Sequence, residues 1–127
     1  MYDDKIVTAT IAGDEYQLMF TTKAAKEVAK KYGGLEQLGE IISDPSSSLD
    51  DFTWMLTLLV NQPILIHNYQ NKDAKKDLIN EDFIDIMTDI SDIPVLAEAM
   101  TEALQRGTVR HIEGEAESGD PKNALTG

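Results

Sequence analysis

The sequence contains no cysteine, so disulfides and thiolate metal ligands are excluded. Basic residues are also scarce: 11 Lys and Arg stand against 23 Asp and Glu, which gives a formal net charge of −12. Binding to nucleic acid through its phosphates requires a basic surface, and an anionic membrane repels an acidic protein. We therefore expect neither nucleic acid nor a membrane among the partners.

Long apolar runs are missing as well. The most apolar segment, FTWMLTLLVNQPILI, is shorter than the ~20 residues that a membrane span requires, and Asn61, Gln62 and Pro63 interrupt it. The first residues include Asp3 and Asp4, where a signal peptide carries positive charge. These absences predict a cytoplasmic protein.

The motifs of catalytic and metal sites are absent too. His67 and His111 lie on different segments and share no spacing typical of metal ligands. Gly33 and Gly34 follow two lysines, but the residues before them do not resemble a strand and no Lys-Ser or Lys-Thr follows, so a phosphate loop is not indicated. A joint between two helices is the better interpretation. We predict no catalytic residue, no metal site, no cofactor and no enzymatic activity.

The first part of the chain has the pattern of a β-hairpin. Residues 5–20 alternate between apolar and polar side chains around a turn predicted at Gly13-Asp14, which would pair Ile11 with Tyr16. One face is then apolar: Val7, Ala9, Ile11, Tyr16, Leu18 and Phe20. The other face carries four side chains that we regard as candidate partner contacts: Thr8, Thr10, Gln17 and Met19.

The rest of the chain is predicted to be helical up to its last segment. Apolar spacing and capping residues indicate helices at residues 22–32, 35–43, 49–70, 80–90 and 94–106. The third is apolar on most sides, which is typical of a central helix. We therefore predict an α+β fold, mainly α, in which an N-terminal hairpin packs on a bundle of about five helices within one domain, residues 1–107. Residues 108–127 are predicted to form a flexible acidic tail.

Two groups of residues have expected places in this fold. The centre of the core should contain four side chains of the third helix: Phe52, Met55, Leu56 and Leu59. Four aspartates recur at helical spacing from the fourth helix onward: Asp82, Asp85, Asp89 and Asp92. Such a row is either a solvated acidic face or a docking face for a basic partner, and the sequence leaves both interpretations open.

Two particular segments connect the chain with a known family. IAGDEYQLMFTTKAAKEVAKKYGGLEQLGE, followed by WMLTLLVNQPILIHN and a short acidic segment, resembles tail assembly chaperones of long-tailed (siphovirus-type) phages and prophages of Gram-positive bacteria. The resemblance covers most of residues 5–112. It lies in the order and the amino-acid sequence of these segments and involves no catalytic signature.

The resemblance implies a non-enzymatic role in viral assembly. Such chaperones bind the tape measure protein in the host bacterial cytoplasm, keep its apolar helices in solution, help to recruit tail tube (major tail) subunits, and are absent from the mature virion. Apolar grooves and the hairpin edge could receive a partner helix or an added strand.

The resemblance also implies a second, longer product. Members of this family are often extended by a ribosomal frameshift, and the extension contacts the tube protein. The codons of Pro121-Lys122-Asn123 could contain the required run of A bases. The alternative function is another acidic protein-binding module, for example a DNA mimic that occupies a basic groove.

Overall fold

A computed structural model of the chain describes residues 2–108. Over this range the protein has an N-terminal antiparallel hairpin and five α-helices, which confirms the predicted fold. The elements are β1 (Val7–Ile11), β2 (Asp14–Leu18), α1 (Thr22–Tyr32), α2 (Gln37–Ser43), α3 (Leu49–Gln70), α4 (Glu81–Met87) and α5 (Ile93–Thr108). Short 3-10 turns precede β1, α3 and α5. From residue 109 onward, the predicted acidic tail lies outside the described residues. Within them, no helix is long and apolar enough to cross a membrane.

The hairpin turns at Ala12-Gly13, one residue earlier than predicted. Both residues have positive φ, 56° and 86°, as a type I′ turn requires. Val7 therefore pairs with Leu18 rather than with Phe20, its partner in the predicted register. A shift of two residues leaves every side chain on its original face, so Val7, Ile11 and Leu18 are buried as the sequence predicts.

The prediction that Met19 lies on the polar face of the hairpin is wrong. β2 ends at Leu18, Met19 is buried, and its backbone N–H donates to the carbonyl oxygen of Leu59 at 3.2 Å. In an uninterrupted helix that carbonyl accepts the N–H four residues later, but the residue there is Pro63, which has none. The proline thus makes a carbonyl of α3 available to the chain that leaves the hairpin.

Helix α3 is the centre of the fold, as its sequence predicts. Its first turn is capped by Ser48, whose side-chain oxygen accepts the N–H of Asp51. The four side chains expected at the centre of the core are all buried: Phe52, Met55, Leu56 and Leu59. The apolar face of the hairpin and buried side chains of the other helices complete one core around them.

The ends of the first two helices follow from local capping. Thr21 caps α1 by accepting the N–H of Ala24, and α1 ends at Gly33, whose φ is 81° and whose N–H donates to Ala29. The predicted joint between two helices is therefore confirmed. Helix α2 starts at Gln37, two residues later than the sequence predicts.

Helix α4 is shorter than predicted and ends at Met87. Thr88 is extended, and its hydroxyl donates to the carbonyl oxygen of Ile84 at 2.7 Å. Met87 and Ile90, which would face inward in a continuous helix, are exposed instead, whereas Ile84 is buried. Because α4 ends early, the apolar side chains of Met87 and Ile90 face solvent instead of the core.

Helix α5 runs two residues beyond its predicted end, to Thr108, and its Gly107 packs closely against Phe20. A Cβ atom at position 107 would lie 2.6 Å from the backbone oxygen of Phe20. The same end of α5 is bonded to the start of the hairpin: Arg106 donates to the carbonyl oxygen of Ile6, and Lys5 donates to that of Arg106. These contacts join residues about a hundred positions apart.

Candidate protein-binding surfaces

Two asparagines of α3 bind the connection between α3 and α4. The Asn61 side chain donates to the carbonyl oxygen of Ile79 and accepts its N–H, both at 2.9 Å. Asn68 pairs in the same way with Lys76, at 2.9 and 2.8 Å. Each side chain thus satisfies both backbone groups of one residue, as a neighbouring strand would. The connection is thereby fixed along the second half of α3.

An apolar groove follows α3 between this connection and the start of α1. It comprises two adjoining hollows of about 250 and 550 Å³ that share Leu65. We call this surface the α3 groove and define it by Leu58, Leu65, Ile66, Tyr69 and Leu78. Leu65 and Ile66 are half-buried, and the Tyr69 side chain is 78% exposed. The first half of α3 is covered by the core, whereas the second half presents apolar side chains to solvent.

Gln62 lies beneath this groove without leaving a polar group unsatisfied. It is 2% exposed, its Oε1 accepts the Thr21 hydroxyl at 2.6 Å, and its Nε2 donates to the carbonyl oxygen of Leu58 at 2.9 Å. Burying a polar group without a partner is costly, but these amide atoms already have partners. An apolar partner can therefore cover the α3 groove while the Gln62 amide keeps its hydrogen-bond partners.

A separate hollow, of about 320 Å³, lies where α4 meets the first turns of α3. We call it the acidic cleft, and it is lined by Leu49, Phe52, Thr53, Ile84, Asp85, Thr88, Asp89, Ile90 and Ile93. Phe52 and Ile84 are buried beneath it, whereas the two aspartates are exposed. The Asp85 Oδ1 atom accepts the Thr53 hydroxyl at 2.9 Å, which fixes the carboxylate beside the apolar lining.

The four candidate aspartates do not form one helical row, because α4 ends before the third of them. Asp82 and Asp85 lie on α4, Asp89 lies in the connection, and Asp92 lies in the 3-10 turn before α5. Asp85 and Asp89 both line the acidic cleft. The Asp92 carboxylate accepts the backbone N–H of Asp89 at 2.8 Å. Asp82 is exposed and is not part of the cleft lining.

Three of the four candidate hairpin residues lie where the sequence predicts. Thr8, Thr10 and Gln17 are exposed on the outer face, and Thr8 is the cross-strand partner of Gln17. Gln17 also lines a hollow of about 500 Å³ together with Pro63 and Ile64. The fourth candidate, Met19, is buried and offers no exposed contact.

Helix α1 is bonded to the start of α3 through a tyrosine and a carboxylate. The Tyr32 hydroxyl donates to the Asp51 Oδ1 atom at 2.7 Å. Burial of the phenol, followed by this bond to a carboxylate, raises the pKa of Tyr32. The bonds from Tyr32 and Ser48 lower the pKa of Asp51. The pair has a structural role, since it joins two helices of the core.

The α3 groove is the surface that sequence reasoning missed. An almost wholly apolar helix predicts complete burial, so the open second half of α3 was not expected. The sequence places Asn61 and Asn68 seven residues apart on this half of α3, but their bonds to the connection do not reveal which adjacent face stays open.

Comparisons with known proteins add no functional assignment. Within residues 2–108, no group of three or more His, Asp or Glu side chains is placed to hold a metal ion. No protein-family model, curated protein or solved structure matches the chain. Function is therefore inferred from the resemblance of particular segments and from the surfaces described above.

Proposed function

We propose that this protein is a non-enzymatic tail assembly chaperone of a long-tailed phage or prophage of Gram-positive bacteria. It binds the tape measure protein, keeps it in solution, and acts in the host cytoplasm without entering the mature virion. The observation that carries this proposal is the resemblance of residues 11–40 and 54–68 to that family. The fold that accompanies these segments, a hairpin packed on five helices within residues 2–108, is compatible with the role.

The α3 groove supports the proposal because it suits an amphipathic partner helix. Leu58, Leu65 and Tyr69 recur along one face of α3 over about three helical turns, or roughly 16 Å. A helix that lies along this face would bury apolar area on both partners, at about 25 cal/mol per Å² removed from water. We propose the groove as the site that takes apolar helices of the tape measure protein.

The charge of the chain supports the second half of the role. A protein with a formal net charge of −12 repels its own copies and confers that repulsion on whatever it coats. Apolar helices that aggregate when free would remain dispersed when covered by several such copies. Binding and solubilisation thus draw on different surfaces of the same small domain.

We further propose that a C-terminally extended form of the protein binds the tail tube protein. A frameshift near Pro121-Lys122-Asn123 would add the extension after the folded domain. Tethering would then let one molecule hold both partners at once. Reading the gene tests this directly: Lys122 encoded by AAG, or the absence of an overlapping downstream frame, contradicts the longer product.

A DNA mimic fits the surface less well. Such a protein needs its carboxylates arranged like phosphates along a duplex. Here apolar side chains stand among the carboxylates: Ile86 and Ile90 are 76% and 71% exposed beside Asp85 and Asp89. This mixture of apolar and acidic groups suits a protein helix better than a DNA-binding groove.

Co-expression with the tape measure protein of the same phage or prophage tests the proposed function. The soluble fraction of the tape measure protein should rise strongly when the wild-type protein is present. The double variant Leu65→Gln/Tyr69→Gln should lose this effect, because it makes the α3 groove polar at two partly exposed positions. The matched control Ile86→Gln changes a side chain about as exposed as Tyr69 on another surface, and it should behave as wild type.

Two results would count against the account in different ways. A tape measure protein that stays insoluble beside the wild-type protein contradicts the chaperone role. If the groove variant rescues solubility as well as wild type does, the role stands but the α3 groove is not the contact surface.

A further inference from the structure

We infer that the acidic cleft is a second protein-binding site, and that its occupant is a cationic amphipathic helix. Such a helix would insert apolar side chains between α3 and α4 and place Lys or Arg beside Asp85 and Asp89. This inference goes beyond the proposed function, because it concerns a different surface and does not depend on the identity of the partner.

Apolar side chains form most of the cleft lining. Leu49 and Ile90 both line it and are exposed, so two large apolar side chains face solvent on the same concave surface. Its floor is formed by buried Phe52 and Ile84. A volume of about 320 Å³ is at the small end of the ~300–1,000 Å³ range of ligand pockets, so it suits a few anchoring side chains rather than a whole helix.

The negative charge of the cleft follows from the distribution of charged residues along the chain. Every charged residue in the ranges 32–66 and 78–105 is acidic, and these ranges supply the whole lining of the cleft. Within residues 4–108, neither Asp85 nor Asp89 forms an ion pair. The lysines of the described residues lie in the hairpin's approach, in α1 and in the connection before α4. The cleft therefore presents carboxylates that its own lining does not neutralise.

The apolar lining and the carboxylates of the cleft together specify the partner. Carboxylates beside an apolar surface attract a helix with Lys or Arg along the edge of its apolar face, since complementary charge speeds encounter and fixes register. Asp85 is already held by the Thr53 hydroxyl, so less side-chain freedom is lost when a cation binds it. A neutral apolar helix would leave both carboxylates partly desolvated and unpaired.

A synthetic helical peptide tests the inference, with Leu at i, i+3, i+4 and i+7 and Lys along both edges. The double variant Asp85→Asn/Asp89→Asn removes two charges and keeps an oxygen that can accept the Thr53 hydroxyl. The control Asp14→Asn/Glu15→Gln removes two charges from the hairpin instead. Dissociation constants from fluorescence anisotropy should rise about fivefold to tenfold for the cleft variant and less than about twofold for the control. Amide NMR spectra should place the peptide-induced shifts at residues 84–93.

A third variant tests the contribution of the apolar lining of the cleft to peptide binding. Ile90→Gln changes an exposed side chain, so it should fold normally while it weakens peptide binding severalfold. Three results would overturn the inference: equal weakening by both charge variants, which indicates nonspecific attraction; unchanged binding by Ile90→Gln; or a wild-type dimer that Ile90→Gln converts to monomer, which would assign the cleft to a second copy of the chain. A circular dichroism melt of each variant checks that the fold is intact.

Discussion

Ala12 carries the clearest local conflict between a residue and its conformation. Its φ of 56° lies in the left-handed region, where the Cβ of an L-residue crowds the following carbonyl. Asparagine and glycine favour this first central position of a type I′ turn, and alanine does not. The hairpin therefore keeps its turn in spite of this residue, because both strands are held against the core.

Replacing Ala12 with Asn should stabilise the protein by about 0.5–1 kcal/mol, because Asn tolerates positive φ in a type I′ turn. Thermal or denaturant unfolding measures this change. Asp14→Asn, which introduces the same residue just outside the turn, should have little effect. A destabilised Ala12→Asn variant would contradict the observed turn.

Leu56 is the most direct test of the core. The side chain is 0% exposed in the centre of α3, so Leu56→Ala should lower the free energy of unfolding by about 2–5 kcal/mol. Leu78→Ala removes the same atoms from a side chain that is about half exposed, and it should cost much less. Equal losses in the two variants would show that α3 is not the central helix.

Among the elements, the polar side chains of α3 organise the connection that forms one wall of the α3 groove. The hydrogen bonds of Asn61 and Asn68 to the connection hold Leu78 beside Leu65, although the connection has no regular secondary structure. The groove therefore depends on these hydrogen bonds as well as on helix packing.

The double variant Asn61→Ala/Asn68→Ala should speed amide hydrogen exchange at Lys76 and Ile79, since those N–H groups lose their acceptors. It should also lower the free energy of unfolding by about 1–3 kcal/mol. Asn71→Ala is the control, because within residues 4–108 the hydrogen bonds of that side chain go to His67 and not to Lys76 or Ile79. Unchanged exchange in the double variant would mean that the connection is held by other contacts.

The contact between α1 and α3 predicts a dependence on pH. Bonds from Tyr32 and then Ser48 lower the pKa of Asp51, so these bonds stabilise the fold above the unfolded-state pKa of ~3.9 and lose their effect as pH falls through the folded-state pKa. Tyr32→Phe should therefore cost about 1 kcal/mol near neutral pH and less in strong acid. Unfolding at several pH values measures both costs. Tyr69→Phe, at an exposed tyrosine, should show no such pH dependence.

The elements also show which features the sequence could predict. Alternation placed Val7, Ile11 and Leu18 on the buried face, but it could not distinguish two registers that differ by two residues, because both give the same faces. Met19 was misplaced because the alternation was continued past the end of β2. Helical spacing found the start of α4 at Asn80, whereas the end depended on the Thr88 hydroxyl, which the spacing does not reveal.

For the whole molecule, the binding surfaces were harder to predict than the fold. Apolar pattern and capping indicate which residues form helices, and both act locally along the chain. Whether a helix is covered along its whole length depends on how many elements reach it. Residues 52–60 of α3 are largely covered, whereas residues 63–70 are not, and only the assembled fold shows this difference.

Charge and apolar surface are also arranged at the scale of the whole molecule. The α3 groove has the ion pair of Lys23 and Glu27 at its edge, whereas Asp85 and Asp89 of the acidic cleft form no ion pair within residues 4–108. Salt screens exposed charges beyond a Debye length of ~8 Å at physiological ionic strength, but it does not weaken apolar burial. Salt dependence therefore distinguishes the two surfaces.

The most direct test of the central claim is the affinity of the purified protein for an apolar amphipathic helix of the tape measure protein, measured at low and at high salt. We predict a dissociation constant that changes little with salt and rises about tenfold or more in Leu65→Gln/Tyr69→Gln, because binding depends on apolar burial in the α3 groove. The contrary result is a complex that moderate salt abolishes and that the groove variant forms as well as wild type does.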